Sequence, residues 1–443
     1  MNGNRGLLLF LIFVLVLTAL IFQRGDFVVL ALPLLVYLAV GYLFAPILRP
    51  EEDAPKLKPD QADETTSQEI PNPAAIQIKL NRSLSAHNVL PGQSLELELV
   101  LTNEGAGFDE LTLTGGLPQG VVAVQEEFGE TLLSLSSGET ARVKQVIQAR
   151  RGEYEFPGID IQVRETFGLF SVEQQLYAGA HLVVEPNGET LRAVPLHPPQ
   201  TRGFAGPVNA RTGGRGTDFF TVREYQPGDP LRHVNWKASS RAPRALYTNM
   251  FEQQRIADVG IILDAREHSG LRSMQGNLFE YSVRAAATLT GPILKAGNRL
   301  GLLVYGPGME SVFPGYGKVQ QRRILRALSR AGAGHNYALE SLAHLPTRFF
   351  PAGSQIILIS SLQPEDPPQV AHLVSLGYGV LVISPDPLAF ETPDATEADL
   401  AWRLARAERA FSLRRLERAG VHVLNWDVRQ PLAPLLQAAL RRR

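Results

Sequence analysis

The sequence predicts a multidomain α+β protein: an N-terminal two-helix transmembrane hairpin, an all-β sandwich, and a doubly wound α/β domain. Three observations predict this order. Residues 6–22 and 27–48 are two apolar runs without a charged residue. Residues 75–186 alternate polar and apolar side chains with a period of two, and residues 257–443 alternate strand-like and helix-like runs. A chain of 443 residues has room for these parts.

The two apolar runs predict a membrane hairpin over residues 1–48, because a helix of roughly 20 apolar residues crosses a bilayer core. Basic residues favour the cytoplasmic side of a membrane. They flank the hairpin as Arg5, Arg49, Lys56 and Lys58, and only Arg24 lies between the runs. We therefore expect a multi-pass protein of the cell membrane whose soluble domains are cytoplasmic. For the first run, a cleavable signal peptide or a buried helix is the alternative.

Residues 49–74 are rich in Pro, Asp, Glu and Gln and lack apolar periodicity, which predicts a flexible linker. Residues 75–186 then carry the strand pattern. The segment 94–101 reads SLELELVL, a strict alternation that is typical of a half-buried strand. Pairs such as Gly115-Gly116 and Ser137-Gly138 mark turns between short strands. Many short strands at this spacing predict a β-sandwich domain.

Residues 257–443 combine two periodicities. Apolar runs typical of buried strands lie at 259–263, 300–305, 355–360, 380–384 and 421–426. Helical spacing lies at 275–296, 320–331, 369–376, 398–419 and 432–440. Repeated strand–helix units predict a doubly wound, mostly parallel sheet, which binds its ligands at the carboxyl ends of its strands.

Composition excludes several function classes. The formal net charge of −1 argues against a nucleic-acid partner, since such proteins are usually basic. The absence of cysteine excludes thiolate catalysis and cysteine-ligated metals. The sequence lacks the phosphate-loop, nucleophile-elbow and zinc-protease motifs, and its nine histidines show no metal-ligand spacing. We therefore expect no enzyme activity and no cofactor.

The segment between the two soluble domains, residues 187–256, contains a dense motif at 216–241. It combines turn-forming residues with charged and aromatic ones: Arg223, Glu224, Tyr225, Pro227, Gly228, Asp229, Arg232, Trp236, Lys237 and Arg241. This motif resembles that of the family called domain of unknown function 58. Two interpretations stay open: a cationic binding surface, or a structural role in which the arginines pair with Glu224 and Asp229. We expect Trp236 to be buried.

The resemblance implies that residues 257–443 are a von Willebrand factor A-like domain. Such domains often hold a metal ion through an Asp-x-Ser-x-Ser, a Thr and a later Asp, which supply oxygen ligands for a hard cation. This chain keeps Asp264 but has Arg266 and His268 at the two serine positions. His335 stands at the apparent Thr position and Ser361 at that of the later Asp. We therefore predict no metal, and a pairing of Asp264 with Arg266 or His268.

The family resemblance also implies a partner, a MoxR-type AAA ATPase that acts as a chaperone. We expect a non-enzymatic membrane-anchored adaptor whose α/β domain binds that partner. The candidate partner-binding residues follow the predicted strands: Asp264, Arg266, His268, His335 and Asn336. The alternative is a structural or assembly protein of the cell envelope with an outward-facing β-sandwich.

Overall fold

A computed structural model describes residues 3–22, 26–44, 77–105, 107–124, 133–164, 171–192, 194, 196, 198–200, 208–241, 245–274, 276–391 and 400–441. The chain divides into two compact units, Met1–Val184 and Glu185–Arg443. The linker predicted at residues 49–74 lies outside the described residues.

Two helices open the first unit, α1 at Gly3–Phe22 and α2 at Asp26–Phe44. Within the described part of the chain, no helix combines the length and the apolar character that a membrane crossing requires. The predicted transmembrane hairpin and multi-pass localisation in the cell membrane are therefore wrong. The prediction counted uncharged runs, whereas the described helices include charged residues: α1 contains Arg5 and α2 begins at Asp26.

The rest of the first unit is built from short strands. They are β1 (Ile78–Leu84), β2 (Asn88–Val89), β3 (Leu95–Asn103), β4 (Phe108–Gly115), β5 (Val121–Ala123), β6 (Leu133–Leu135), β7 (Thr140–Ala149), β8 (Gly152–Glu155), β9 (Ile159–Arg164), β10 (Ser171–Leu176) and β11 (His181–Val184). They form three sheets, ordered β1-β3-β7-β5, β10-β9-β4-β6 and β2-β11-β8. The alternation in β3 buries Leu97, Leu99 and Leu101, which share one apolar core with Leu111 and Ile161.

The second unit begins with a hairpin. Strand β12 (Val208–Glu224) pairs antiparallel with β13 (Tyr247–Arg255), with several register shifts. The connection between them holds a 3₁₀ turn at Leu231–His233 and the short helix α3 at Trp236–Ser239. The family motif therefore lies on the end of one hairpin strand and in the loop that follows it.

The predicted alternation of strands and helices is present in the rest of the second unit. Its elements are β14 (Asp258–Asp264), β15 (Arg272–Ser273), β16 (Gly276–Asn277), α4 (Leu278–Lys295), β17 (Arg299–Tyr305), β18 (Met309–Gly315), α5 (Gly317–Arg330), β19 (Gln355–Ile359), α6 (Asp366–Ser375), β20 (Gly379–Pro385), α7 (Pro387–Glu391), α8 (Leu400–Arg418), β21 (His422–Trp426) and α9 (Leu432–Arg441). One sheet has the order β18-β17-β14-β19-β20-β21. Its neighbouring strands run parallel, except that β18 is antiparallel to β17.

Both faces of this sheet are covered, as in a doubly wound fold. Successive residues of β14 point to opposite sides, so Ile261 and Ile262 belong to different apolar clusters. From β14 the chain leads to β17 on one side and later to β19 on the other. The strand order therefore reverses between β14 and β19, and in such sheets ligands bind outside the carboxyl ends of the strands at that point.

Candidate functional site

The site begins where β14 ends. Asp264 is the last residue of this strand and is completely buried, and Arg266 follows it at 4% exposure. The backbone between them is held from two sides: Ala265 N–H donates to the Tyr305 carbonyl at 2.7 Å, and its own carbonyl accepts from Gly334 N–H at 3.0 Å. Because the end of β17 and the loop at Gly334 both bond to the backbone of Ala265, the side chains that flank it have fixed directions.

The guanidinium of Arg266 lies between two buried carboxylates. It donates through Nε and Nη2 to both oxygens of Asp264, at 2.9 and 2.8 Å. It donates through Nη1 and Nη2 to both oxygens of Asp366, at 3.0 and 2.7 Å. This paired geometry is the one that suits guanidinium best. The predicted pairing of Asp264 with Arg266 is observed, and a second carboxylate joins it.

The remaining hydrogen-bonding capacity of Arg266 is used as well. Its Nη1 also donates to the Glu340 carbonyl at 3.0 Å and to Gln363 Oε1 at 3.3 Å. A guanidinium has five N–H groups, and every nitrogen of Arg266 has an acceptor. Arg266 therefore ties the loops after β14 and β19 together and has no donor left for a partner protein.

Charge in this cluster stabilises the ionised form of Asp264. Burial by itself would raise the pKa of Asp264, but the adjacent His268 and Arg266 outweigh it and hold that pKa well below its usual range. Burial likewise opposes the charge of Arg266, while Asp264 and Asp366 outweigh it and raise the pKa of Arg266. Asp264 and Arg266 therefore both stay charged, each stabilised by the other.

Two further side chains approach Asp264. Ser360, directly after β19, donates its hydroxyl to Asp264 Oδ2 at 2.5 Å. The Nε2 of His268 lies 3.3 Å from the same oxygen. Among the described residues, neither ring nitrogen of His268 has a hydrogen-bond partner. His268 therefore keeps unused ligand atoms inside the site.

The loop after β19 is held in an unusual conformation. Leu362 has a φ of 59°, in the left-handed region that non-glycine residues rarely adopt. Its N–H donates to Ser360 Oγ at 3.0 Å, and Gln363 N–H donates to Asp366 Oδ2 at 2.7 Å. These bonds turn the loop so that Asp366, at the start of α6, points back at Arg266. Strained backbone of this kind is concentrated at functional sites.

An open cleft of about 280 Å³ lies over this cluster. It is lined by Arg266, Glu267, His268, Gly306, Gly334, His335, Asn336, Leu339, Glu340 and Gln363. His335 Nδ1 is 3.0 Å from Glu267 Oε2, and the His335 ring contacts the ring of Tyr337 edge to face. Asn336 donates to the Pro307 carbonyl at 2.8 Å. Tyr337 is 85% exposed beside the cleft, so an aromatic side chain is available there to a partner.

The structure brings the five residues predicted from the sequence to this one place. Arg266, His268, His335 and Asn336 line the cleft, while Asp264 lies beneath it and is not accessible. Ser361, placed by sequence at the position of a metal-binding Asp, has no hydrogen-bond partner for its hydroxyl among the described residues. Sequence reasoning missed Asp366. A usable signal was present, because this acidic residue precedes Pro367-Pro368 at the start of a helix that follows a buried strand.

The family motif forms a separate turn. Arg223 Nη2 donates to Asp229 Oδ1 at 2.6 Å, which is the structural pairing that the sequence left open. A backbone hydrogen bond from Gln226, helped by Arg223, lowers the pKa of Asp229. Gly228 has a φ of 106°, which glycine adopts readily. The turn between Pro227 and Asp229 is therefore built from local contacts.

The expected burial of Trp236 is wrong. Its side chain is 67% exposed, because Trp236 begins the four-residue helix α3, which is too short to bury a face. Neighbouring motif residues are also exposed: Glu224, Arg232, Lys237 and Arg241. Tyr225 is partly buried, and its N–H donates to the Leu246 carbonyl at 2.7 Å. The motif thus presents an aromatic ring among cationic side chains.

Comparison with known proteins gives a family and uncharacterised relatives. Residues 221–401 match the model of the family described as "Protein of unknown function DUF58". An uncharacterized protein of Bacillus subtilis, YeaD, is 24% identical over 241 residues, which cover 53% of this chain and 56% of the relative. The uncharacterized protein Rv1480 of Mycobacterium tuberculosis is 25% identical over 209 residues, 45% of this chain and 65% of the relative. The chain thus spans somewhat more than half the length of these relatives.

Solved structures match short parts of the chain. A cupredoxin domain of amoB from Nitrosocaldus yellowstonii is 9% identical with a TM-score of 0.19, over 24% of this chain and 86% of that one. A FixG-related protein from Vibrio parahaemolyticus is 15% identical with a TM-score of 0.17, over 26% of this chain and 98% of that one. Similarity at this level carries no argument about function.

Proposed function

The chain is a DUF58 family protein, as its motif predicts, and from that premise we propose that its α/β domain is a non-enzymatic docking module for a protein partner. One observation carries the proposal: polar residues of separate loops converge on a cleft over a buried, charge-compensated cluster. The cluster makes the floor of the cleft rigid, while the side chains at its rim remain accessible. A cleft with a rigid floor and an exposed rim favours binding of a partner, because few side chains lose conformational freedom when the partner binds.

The partner that we propose is a MoxR-type AAA ATPase, which is the partner that the family resemblance implies. Likeness to a von Willebrand factor A domain is part of the same proposal, and the strand order and the position of the cleft are in keeping with it. Contacts at the rim would be direct hydrogen bonds and ion pairs through Glu267, His335 and Asn336, with Tyr337 as the aromatic anchor. Such contacts weaken as ionic strength rises.

The test measures the affinity of the full chain for a purified MoxR-type ATPase from the same organism, by biolayer interferometry. We expect Tyr337→Ala to weaken binding tenfold or more, a loss of about 1.4 kcal/mol or greater. Tyr177→Ala is the matched control, because Tyr177 is 77% exposed but lies directly after β10 in the first unit. If the wild-type chain does not bind the ATPase, the proposed partner is wrong. If both variants lose the same affinity, the cleft is not its docking site.

A parallel assay addresses the non-enzymatic part of the proposal. The full chain alone, incubated with ATP and Mg²⁺, is expected to release no phosphate above the buffer rate. The ATPase alone is the positive control. Phosphate release by the chain that persists through a second purification step would contradict the proposal.

A further inference from the structure

The carboxylates beneath the cleft have the spacing of a metal site, but a side chain occupies the space between them. Asp264, His268 and Asp366 each offer one ligand atom, and these three atoms lie within 4.8 Å of one another. Nη2 of Arg266 is 2.8 Å from one carboxylate and 2.7 Å from the other. A Mg²⁺ ion bonded to the same oxygens would lie about 2.0–2.1 Å from each, in the space that this nitrogen fills. The residues present therefore do not fit a metal.

We propose that the guanidinium of Arg266 is the resident cation of this site, a tethered substitute for a divalent metal ion. It joins the loops after β14 and β19, as a shared metal ion would, and it neutralises part of the same negative charge. All of its nitrogens already donate hydrogen bonds, so it offers no open position to a ligand from a partner. The consequence for docking, which rests on the proposed function, is that divalent metal concentration does not control binding at the cleft.

The unused atoms around Arg266 support this reading of the site as a cation site. Both nitrogens of His268 lack hydrogen-bond partners among the described residues, although they are buried. Ser360 donates its hydroxyl to the carboxylate of Asp264, so its oxygen also lies at this site. Without the guanidinium, these groups and the two carboxylates would surround a space able to hold a small cation. We therefore expect that removal of the arginine side chain exposes a site for a divalent ion or for free guanidinium.

The experiment measures Mn²⁺ binding by the loss of the free-ion electron paramagnetic resonance signal, with the full chain. The wild type is expected to bind no Mn²⁺ at millimolar concentration, whereas Arg266→Ala is expected to bind one equivalent with a dissociation constant at least tenfold below the highest concentration tested. Combining Arg266→Ala with Asp366→Ala should remove that binding. Equal Mn²⁺ binding by the wild type and Arg266→Ala, or none by a folded Arg266→Ala, would overturn the proposal.

Chemical rescue provides a second measurement on the same variant. Millimolar guanidinium should raise the melting temperature of Arg266→Ala and leave that of Arg266→Lys unchanged, because lysine keeps a cation at this position. Millimolar urea, which has a similar shape without charge, is the control and should not rescue. Equal effects of urea and guanidinium would contradict a cation site.

Two arms keep the proposal testable whatever the variant does. If Arg266→Ala does not fold, the wild type decides: Mn²⁺ bound by the wild type and lost in Asp366→Asn would overturn the proposal. The second arm measures ATPase binding by the wild-type chain in chelator. Failure of the ATPase to bind at all would count against the proposed partner, while the Mn²⁺ results would still decide the identity of the resident cation.

Discussion

Replacing Arg409 by methionine tests whether the strand ends that support the site are held together by one side chain. Arg409 lies on α8 with a side chain only 11% exposed. It donates to the Ser361 carbonyl at 2.9 Å, to Ser384 Oγ at 3.0 Å and to Asn425 Oδ1 at 2.8 Å. These acceptors belong to the ends of β19, β20 and β21. Burial lowers the pKa of Arg409, and Asp386 partly opposes this effect.

The expected loss follows from these contacts. Methionine matches arginine in helix propensity and in the length of the stem as far as Nε, but it lacks the donors and leaves the acceptors unpaired. Removing one partner from a buried charged network costs about 3–5 kcal/mol, and the partial exposure of Asp386 favours the lower value. About 3 kcal/mol corresponds to a drop in melting temperature of about 6–12 °C for a unit of this size.

Differential scanning calorimetry of the full chain measures this effect. Arg403→Met is the matched control, because Arg403 is exposed on the same helix and should change the free energy of unfolding by no more than about 0.5 kcal/mol. If both variants have the melting temperature of the wild type, the reasoning from buried hydrogen bonds is refuted.

Three further predictions concern the site and the motif. The depressed pKa of Asp264 means that its contribution to stability is present above its unfolded pKa, about 3.9, and is lost as pH falls through the folded pKa. Urea midpoints measured from neutral to strongly acidic pH should therefore fall less steeply in Asp264→Asn than in the wild type, and identical slopes would contradict this. Gly306→Ala should destabilise by about 3 kcal/mol in thermal melts, since a Cβ there would lie 2.3 Å from the Ala265 carbonyl, whereas Gly308→Ala meets nothing within 4 Å and should be neutral. Trp236→Ala should change the free energy of unfolding by no more than about 0.5 kcal/mol, because the ring is exposed, and a loss near the 3–5 kcal/mol typical of a buried tryptophan would show that the ring is covered in solution.

Periodicity and turn chemistry determined most of the elements that the structure describes. The alternation in residues 94–101 predicts strand β3, and its leucines at the odd-numbered positions are indeed the buried ones, because a pleated strand points successive side chains to opposite faces. The apolar run at 259–263 likewise predicts β14, which is buried along its whole length between two helical layers. The apolar runs near the N-terminus predict helices, which are present, but run length alone misjudged whether they cross a membrane.

The sequence by itself also placed Asp264, Arg266, His268, His335 and Asn336 at one edge, since the carboxyl ends of parallel strands share an edge. Only the tertiary structure decided which distant groups these residues contact. Asp366 is 100 positions from Arg266 in the chain, and its role depends on a loop that Leu362 turns through a left-handed conformation. Periodicity reports which face a side chain occupies, but not which distant group it meets there. The pairing of one guanidinium with two carboxylates is a contact between separate loops, so it exists only once the sheet has brought their ends together.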